Sequence, residues 1–104
     1  MSDRTLKEIQ QIVDNWIMQV GKGYWTPHEM LARLMEEVGE TARLVNHLYG
    51  SKLKKDSESS QELSDELADI LFTIICIANS QNIDLQSAFE KVIEKYSIRD
   101  KDRY

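Results

Sequence analysis

Only one proline and four glycines interrupt this chain of 104 residues. The proline, Pro27, follows Thr26, and proline is well tolerated at the first position of a helix. A sandwich of many short strands needs more turn residues than this chain contains. The composition, with 41% hydrophobic and 30% charged residues, is that of a globular protein. The sequence therefore predicts a single all-α domain over residues 1–104, because a chain of this length has room for one core.

Helix-start and helix-stop signals divide the chain into four segments with apolar residues at helical spacing. The first two segments begin with capping boxes, formed by Thr5 with Glu8 and by Thr26 with Glu29. The predicted helices begin after Thr5, at Pro27, after Ser59 and Ser60, and after Asp84. They end at Gly21, Gly50 and Asn82, and the fourth runs through Tyr96.

The apolar positions indicate where the core lies and which helix faces must be buried against other parts of the protein. In the third helix, residues 70–78 are apolar on nearly every side, and a helix of this kind must be covered on every face. Cys76 lies in this run, where a buried and unreactive thiol is expected. We therefore predict a four-helix bundle-like domain that is completed by self-association. The core positions predicted for the second helix are Leu31, Leu34, Met35, Val38, Ala42, Val45 and Tyr49.

Charge and hydropathy restrict the class of partner and the compartment. Eighteen acidic and thirteen basic residues give a net charge of −5, which argues against a surface that binds duplex nucleic acid by neutralising its phosphates. The first residues lack the apolar run of a signal peptide, and no apolar stretch is long enough to span a bilayer. We expect a cytoplasmic protein without membrane or nucleic-acid partners, with a flexible loop over residues 51–59 and a polar tail over residues 99–104.

Two acidic clusters lie on the second and third predicted helices. At 100° per residue, Glu37 falls at the edge of the apolar arc of its helix and Glu40 lies beside it, whereas Glu36 points outward. Glu66 and Asp69 occupy a similar margin between apolar packing and water on the third helix. If the two helices pack against each other, these four marginal carboxylates share one small volume.

Carboxylates in so small a volume raise each other's pKa and oppose folding unless a cation neutralises them. All-oxygen ligation suits Mg²⁺ or Mn²⁺, and it leaves coordination positions for water and substrate phosphate. The alternative is that these glutamates are solvated helix formers, favoured by the helix dipole. Two pairs on neighbouring helices, each bordering an apolar face, favour a metal site. A di-iron bundle is disfavoured, because it normally also needs Glu-x-x-His pairs and the sequence contains none.

The two acidic segments, 34–40 and 65–72, together resemble the signature of the MazG-like nucleotide pyrophosphohydrolases. That signature is Glu-Glu-x-x-Glu, a spacer, and then Glu-x-x-Asp. Here the spacer between Glu40 and Glu66 is 25 residues long, and the similarity runs from about Trp25 into Arg99. The resemblance implies an all-α fold, usually a dimer or a dimer of dimers. It also implies Mg²⁺-dependent hydrolysis of a nucleoside triphosphate to the monophosphate and pyrophosphate, which could remove non-standard nucleotides.

The resemblance further implies roles for individual acids. Glu37, Glu40, Glu66 and Asp69 match the metal-binding positions of the family. Glu36 matches the remaining glutamate of the motif, and we expect it to orient the metal shell or the attacking water. An outward-pointing surface glutamate is the alternative for Glu36.

Four further residues are candidates for contact with the substrate. Lys95 and Arg99 match a basic region near the end of related chains and could contact phosphate, although cations at a helix C-terminus also stabilise the dipole. Trp25 and His47 could contact the base or ribose, with a hydrophobic staple and a surface position as their structural alternatives. Two other functions remain open: a phosphoribosyl-ATP pyrophosphatase with the same acids, and a non-catalytic helical oligomerisation or regulatory module.

Overall fold

The computed structural model describes residues 3–50 and 60–100, and within these ranges the protein is helical without β-strands. The predicted all-α class is therefore confirmed. The predicted loop over 51–59 and residues 101–104 of the predicted tail lie outside the described residues. No helix in the described ranges is long and apolar enough to cross a membrane. The four α-helices are α1 (Leu6–Trp16), α2 (Pro27–Tyr49), α3 (Ser60–Ser80) and α4 (Leu85–Asp100).

The first two helices begin where their side chains satisfy the free amides of the first turn. The Thr5 hydroxyl accepts from the Glu8 amide, and the Glu8 carboxylate accepts from the Thr5 amide at 2.8 Å. Thr26 and Glu29, on either side of Pro27, form the same reciprocal pair of hydrogen bonds. Both predicted capping boxes are confirmed. They could be predicted from the sequence because the motif involves only two residues that are three apart in the chain.

The end of the first helix differs from the regular pattern that its spacing predicts. After Trp16 the chain widens into one π-helical segment, Ile17–Gly21, and then leaves through Lys22 and Gly23, both with positive φ. The amide of Lys22 donates to the Ile17 carbonyl, which closes the wide turn. The predicted stop near Gly21 is confirmed, but the α-helix itself ends five residues earlier than the periodicity predicts.

The turn between α3 and α4 is built from local hydrogen bonds. Asn82 adopts the left-handed conformation at φ 58°, and the amides of Asn82 and Ile83 donate to the carbonyls of Asn79 and Ala78. This is the Schellman arrangement, which satisfies the last carbonyls of a helix. Asp84 then accepts from the amides of the first turn of α4. The predicted helix end and the predicted cap are both confirmed, while α4 continues beyond Tyr96 to Asp100.

The described residues form two compact units, one made of residues 3–24 and 78–100 and the other of residues 25–50 and 60–77. In the first unit, Gln10 is only 7% exposed and uses its whole amide. Its Nε2 donates to the Asn79 side chain and to the Ile83 carbonyl, both at 2.9 Å, and its Oε1 accepts from the Leu85 amide at 2.9 Å. One buried polar side chain on α1 therefore fixes the α3–α4 turn.

The second unit contains α2 and most of α3. Its buried positions on α2 are Met30, Glu37 and Leu44, at seven-residue spacing. The core stripe predicted for α2 is wrong, because Leu34 is half-buried and the other six positions are exposed. Periodicity identifies residues that share a face of a helix, but it does not identify which of two apolar faces turns inward. On α3, Thr73, Ile75 and Cys76 are buried as well, and burial raises the pKa of the Cys76 thiol.

Replacing Gln10 tests the importance of the buried amide. Gln10→Ala removes the partners of the Ile83 carbonyl and the Leu85 amide, and we expect it to lower the free energy of unfolding by about 2–3 kcal/mol. Gln11→Ala is the matched control: Gln11 is exposed and pairs with Asn15 on the same helix. Its substitution should change stability by less than about 0.5 kcal/mol. Urea denaturation of both variants measures the difference, and equal effects would contradict the role assigned to Gln10.

Candidate metal centre

Three carboxylates from two helices converge in the second unit. Glu37 and Glu40 lie on α2 and Glu66 lies on α3, and one oxygen from each falls within 4.8 Å of the others. Glu37 is buried, Glu66 is half-buried and Glu40 is exposed. The cluster therefore extends from the interior to the solvent, so that a ligand could reach it from one side. The second and third helices thus bring three of their acidic side chains together.

Glu37 carries the deepest charge of the cluster and is only 3% exposed. Its Oε1 accepts a charge-assisted hydrogen bond from Nη2 of Arg33, one turn earlier on α2, at 2.8 Å. Its Oε2 is also buried but has no hydrogen-bond partner. An ionised carboxylate is costly to bury unless its oxygens have polar or charged partners. Arg33 provides such a partner for Oε1 of Glu37, whereas Oε2 has none.

Glu66 is under the same constraint from the opposite helix. Its Oε2 is buried without a hydrogen-bond partner. Burial raises the pKa of Glu66, the adjacent Glu37 carboxylate raises it further, and the charges of Glu40 and Asp69 act in the same direction. Glu66 therefore holds a proton more tightly than an exposed glutamate does.

The donor set fits a hard divalent cation. Carboxylate oxygens are the ligands preferred by Mg²⁺ and Mn²⁺. The unpartnered oxygens of Glu37 and Glu66 are the groups that such a cation would satisfy, and exposed Glu40 leaves one side open to water or substrate. The three residues Glu37, Glu40 and Glu66 could thus hold a metal ion, without any sulfur or imidazole ligand.

The other two acids of the predicted site lie at its margin. Asp69 is exposed on α3, three residues after Glu66. Its charge acts on Glu66, but its carboxylate is not one of the three whose oxygens cluster within 4.8 Å. Glu36 is exposed on α2, as its helical position predicts. The structure thus brings together three of the four predicted metal ligands.

The candidate substrate residues fall in both units. Trp25 is 61% exposed just before α2, and His47 lies on α2 with Nδ1 at 3.2 Å from a guanidinium nitrogen of Arg43. Lys95 and Arg99 belong to the first unit, where their cationic groups lie 5.8 and 4.6 Å from the centre of the Tyr96 ring. Aromatic faces attract cations at these distances, so both residues have a structural partner.

Sequence reasoning missed Arg33. Its only signal in the sequence is its position four residues before Glu37, which places the two side chains on the same face of the helix. That signal becomes informative once Glu37 is known to be buried, and the burial depends on packing that the sequence pattern does not reveal.

Comparison with known proteins places this chain in a family. Residues 25–104 match the MazG nucleotide pyrophosphohydrolase domain. The chain is 49% identical over its full length to the YpjD protein of Bacillus subtilis, covering 94% of that protein.

Two solved structures share the fold. The crystal structure of YPJD from Bacillus subtilis is 48% identical, with a TM-score of 0.84 over 92% of this chain and 98% of that one. The crystal structure of the Bacillus-conserved MazG protein, a nucleotide pyrophosphohydrolase, is 46% identical, with a TM-score of 0.81 over 98% of this chain and 99% of that one.

The raised pKa of Glu66 predicts a pH dependence of stability in the metal-free protein. Between the pKa of the unfolded chain and the higher folded pKa, the folded state binds more protons, so its stability falls as the pH rises through that window. Glu66→Gln removes the ionisation. In EDTA it should therefore raise the melting temperature at pH 8 relative to the unsubstituted protein, and this gain should shrink toward pH 4.5.

Thermal unfolding by circular dichroism between pH 4.5 and 8 measures the effect. Glu36→Gln is the matched control, because it removes an exposed carboxylate from the same region of the fold. It should leave the melting temperature close to that of the unsubstituted protein. If Glu66→Gln destabilised the metal-free protein at pH 8, the cluster would not be under the electrostatic constraint described here.

Proposed function

Because the chain belongs to the MazG nucleotide pyrophosphohydrolase family, we propose that it is a Mg²⁺-dependent enzyme that hydrolyses a nucleoside triphosphate between the α- and β-phosphates. Its products are the nucleoside monophosphate and pyrophosphate. The observation that carries the proposal is the convergence of Glu37, Glu40 and Glu66, with two buried oxygens that lack partners. An intracellular role in removing non-standard nucleotides fits this activity, and the cytoplasm holds the nucleotide pool on which it would act.

The proposed role of each ligand in holding the cation follows from its burial. Glu37 and Glu66 would hold the cation from the inner side, and Glu40 would hold it at the solvent edge, where a triphosphate can approach. Mn²⁺ fits the same oxygen ligands. The bound cation supplies neutralisation of phosphate charge and a water of lowered pKa. Asp69, at the margin of the cluster, is proposed as a fourth ligand.

The reaction needs no covalent nucleophile from the protein. Water adds to the α-phosphorus and the pyrophosphate group leaves, so that one water is consumed for each triphosphate. Exposed Glu36, next to Glu37 on α2, is proposed to orient this water or the metal shell. Lys95 and Arg99 are proposed to contact phosphates, and Trp25 and His47 the base or ribose.

The exposed apolar side chains favour an oligomer. Four leucine and methionine side chains of the second unit are 47–56% exposed, in pairs four residues apart that share a face of their helix, and apolar side chains grouped on a surface mark interaction sites. Such surface is normally buried when subunits associate. We therefore propose a homodimer or homotetramer in solution. The four residues are Leu31, Met35, Leu67 and Leu71.

The central test is the release of pyrophosphate. With Mg²⁺, the purified protein should release pyrophosphate from at least one nucleotide in a panel of ordinary, deoxy and oxidised triphosphates that also includes phosphoribosyl-ATP. Glu40→Gln and Asp69→Asn should each reduce kcat/KM by more than about a hundredfold, because removing a ligand costs several kcal/mol of transition-state stabilisation. Glu36→Gln should lower kcat while Mn²⁺ still binds.

Asp65→Asn provides the matched control on α3, since Asp65 is an exposed acid next to Glu66 but outside the cluster. It should retain the activity of the unsubstituted protein. Circular dichroism checks that every variant is folded. The proposal fails if no substrate in the panel is cleaved, and its site is wrong if Glu40→Gln and Asp69→Asn both keep full activity.

Light scattering coupled to size-exclusion chromatography tests the oligomer. The mass should be two or four times the 12.1 kDa of the chain. Leu71→Glu should shift the mass toward one chain, because a charged group buried in an apolar interface is strongly unfavourable. Ser64→Glu introduces the same charge at an exposed polar position of α3 and should leave the mass unchanged. A single-chain mass for the unsubstituted protein would contradict the proposal.

A further inference from the structure

The pairing of Arg33 with Glu37 differs from an ordinary surface ion pair. Glu37 is buried, whereas Arg33 is about half exposed and reaches the carboxylate from the rim of the cluster. Its guanidinium takes one carboxylate oxygen and leaves the other without a partner. One oxygen of Glu37 is thus neutralised by the protein itself, and the other is left for a second cation.

Helix energetics alone do not explain this pair. On an exposed helix, an acid that precedes a base by four residues is favoured over the reverse order, and here the base precedes the acid. The pair therefore gains little from local helical geometry. Its contribution depends on the burial of Glu37, because breaking a buried pair leaves an uncompensated charge in the interior.

A divalent cation in the cluster would change how much the folded protein depends on the Arg33–Glu37 ion pair. It would neutralise Glu37 together with Glu40 and Glu66, so the folded protein would depend less on Arg33 when the metal is bound. Any group that stabilises the metal-free fold more than the metal-bound fold must weaken metal binding by the same factor, since the two equilibria are linked.

We propose that Arg33 is the resident counter-ion of the carboxylate cluster, stabilising the metal-free fold and thereby lowering the affinity for the divalent cation. The proposal rests on the cation site of the proposed function but not on its substrate. Arg33 acts through Glu37 and is a positioning residue rather than a catalytic one. Without metal, the guanidinium of Arg33 provides the positive charge beside Glu37. With metal bound, the divalent cation would provide a larger positive charge at the same carboxylate.

Arg33→Gln tests the proposal through two measurements that do not require activity. In EDTA the variant should lose about 4 °C or more of melting temperature, and saturating Mn²⁺ should recover most of this loss. Its dissociation constant for Mn²⁺, measured by calorimetry, should fall about fivefold. Arg33→Lys keeps the charge and should lie between the two proteins.

Two further variants make the test specific. Arg43→Gln removes a guanidinium from the same helix that bonds to His47 at i+4, and it should not change Mn²⁺ affinity. In a Glu37→Gln background there is no buried charge to compensate, so adding Arg33→Gln should cost little stability in EDTA. If Arg33→Gln alone does not fold, recovery of a cooperative transition in this double variant supports the proposal.

The contrary outcomes are equally definite. Weaker Mn²⁺ binding by Arg33→Gln would overturn the proposal and show that the arginine mainly orients a ligand. A raised KM with unchanged stability and Mn²⁺ affinity would also overturn it, and would assign Arg33 to substrate phosphate. If the unsubstituted protein binds Mn²⁺ but cleaves no triphosphate, the proposed function fails, while the stability and affinity results still decide the role of Arg33.

Discussion

The main constraint on the second unit is a pair of acidic side chains that turn toward its interior. Glu37 and Glu66 approach each other from two helices, and each has one buried oxygen without a hydrogen-bond partner. The apolar groups buried in the same unit, including Met30, Leu44 and Ile75, provide the favourable free energy that holds the helices together against this repulsion. A cation bound at the proposed site would relieve this repulsion, and metal binding would then be linked to folding through the same group of side chains.

Local rules predicted the helix boundaries well, because the determining residues are close together in the chain. The capping boxes at Thr5 and Thr26 and the cap at Asp84 each need only a side chain and an amide two or three residues away. Helical geometry also predicted that acids on the second and third helices approach each other, and Glu37, Glu40 and Glu66 do so, although Glu37 is buried rather than at the edge of the apolar arc. These features do not require knowledge of which surfaces meet in the folded protein.

Features that depend on tertiary packing could not be predicted in the same way. Gln10 looks like a surface residue in a helical pattern, yet its amide fixes the turn before α4. On α2 the more continuous apolar stripe is exposed, and the buried line is the one that contains Glu37. The hydrophobic pattern favours the first face, whereas the site requires the second. The exposed stripe would be covered only if another subunit packs against it, as proposed above.

The relation between the two faces of α2 explains why a small enzyme of this kind would associate. A helix that turns a carboxylate inward gives up part of the apolar burial that would otherwise stabilise the domain, and a chain of 104 residues has little core with which to compensate. The proposed association of subunits through the remaining apolar face would restore that burial without removing the acid from the interior. The carboxylate cluster of the proposed site and the apolar surface of the proposed assembly would then both follow from the same orientation of α2.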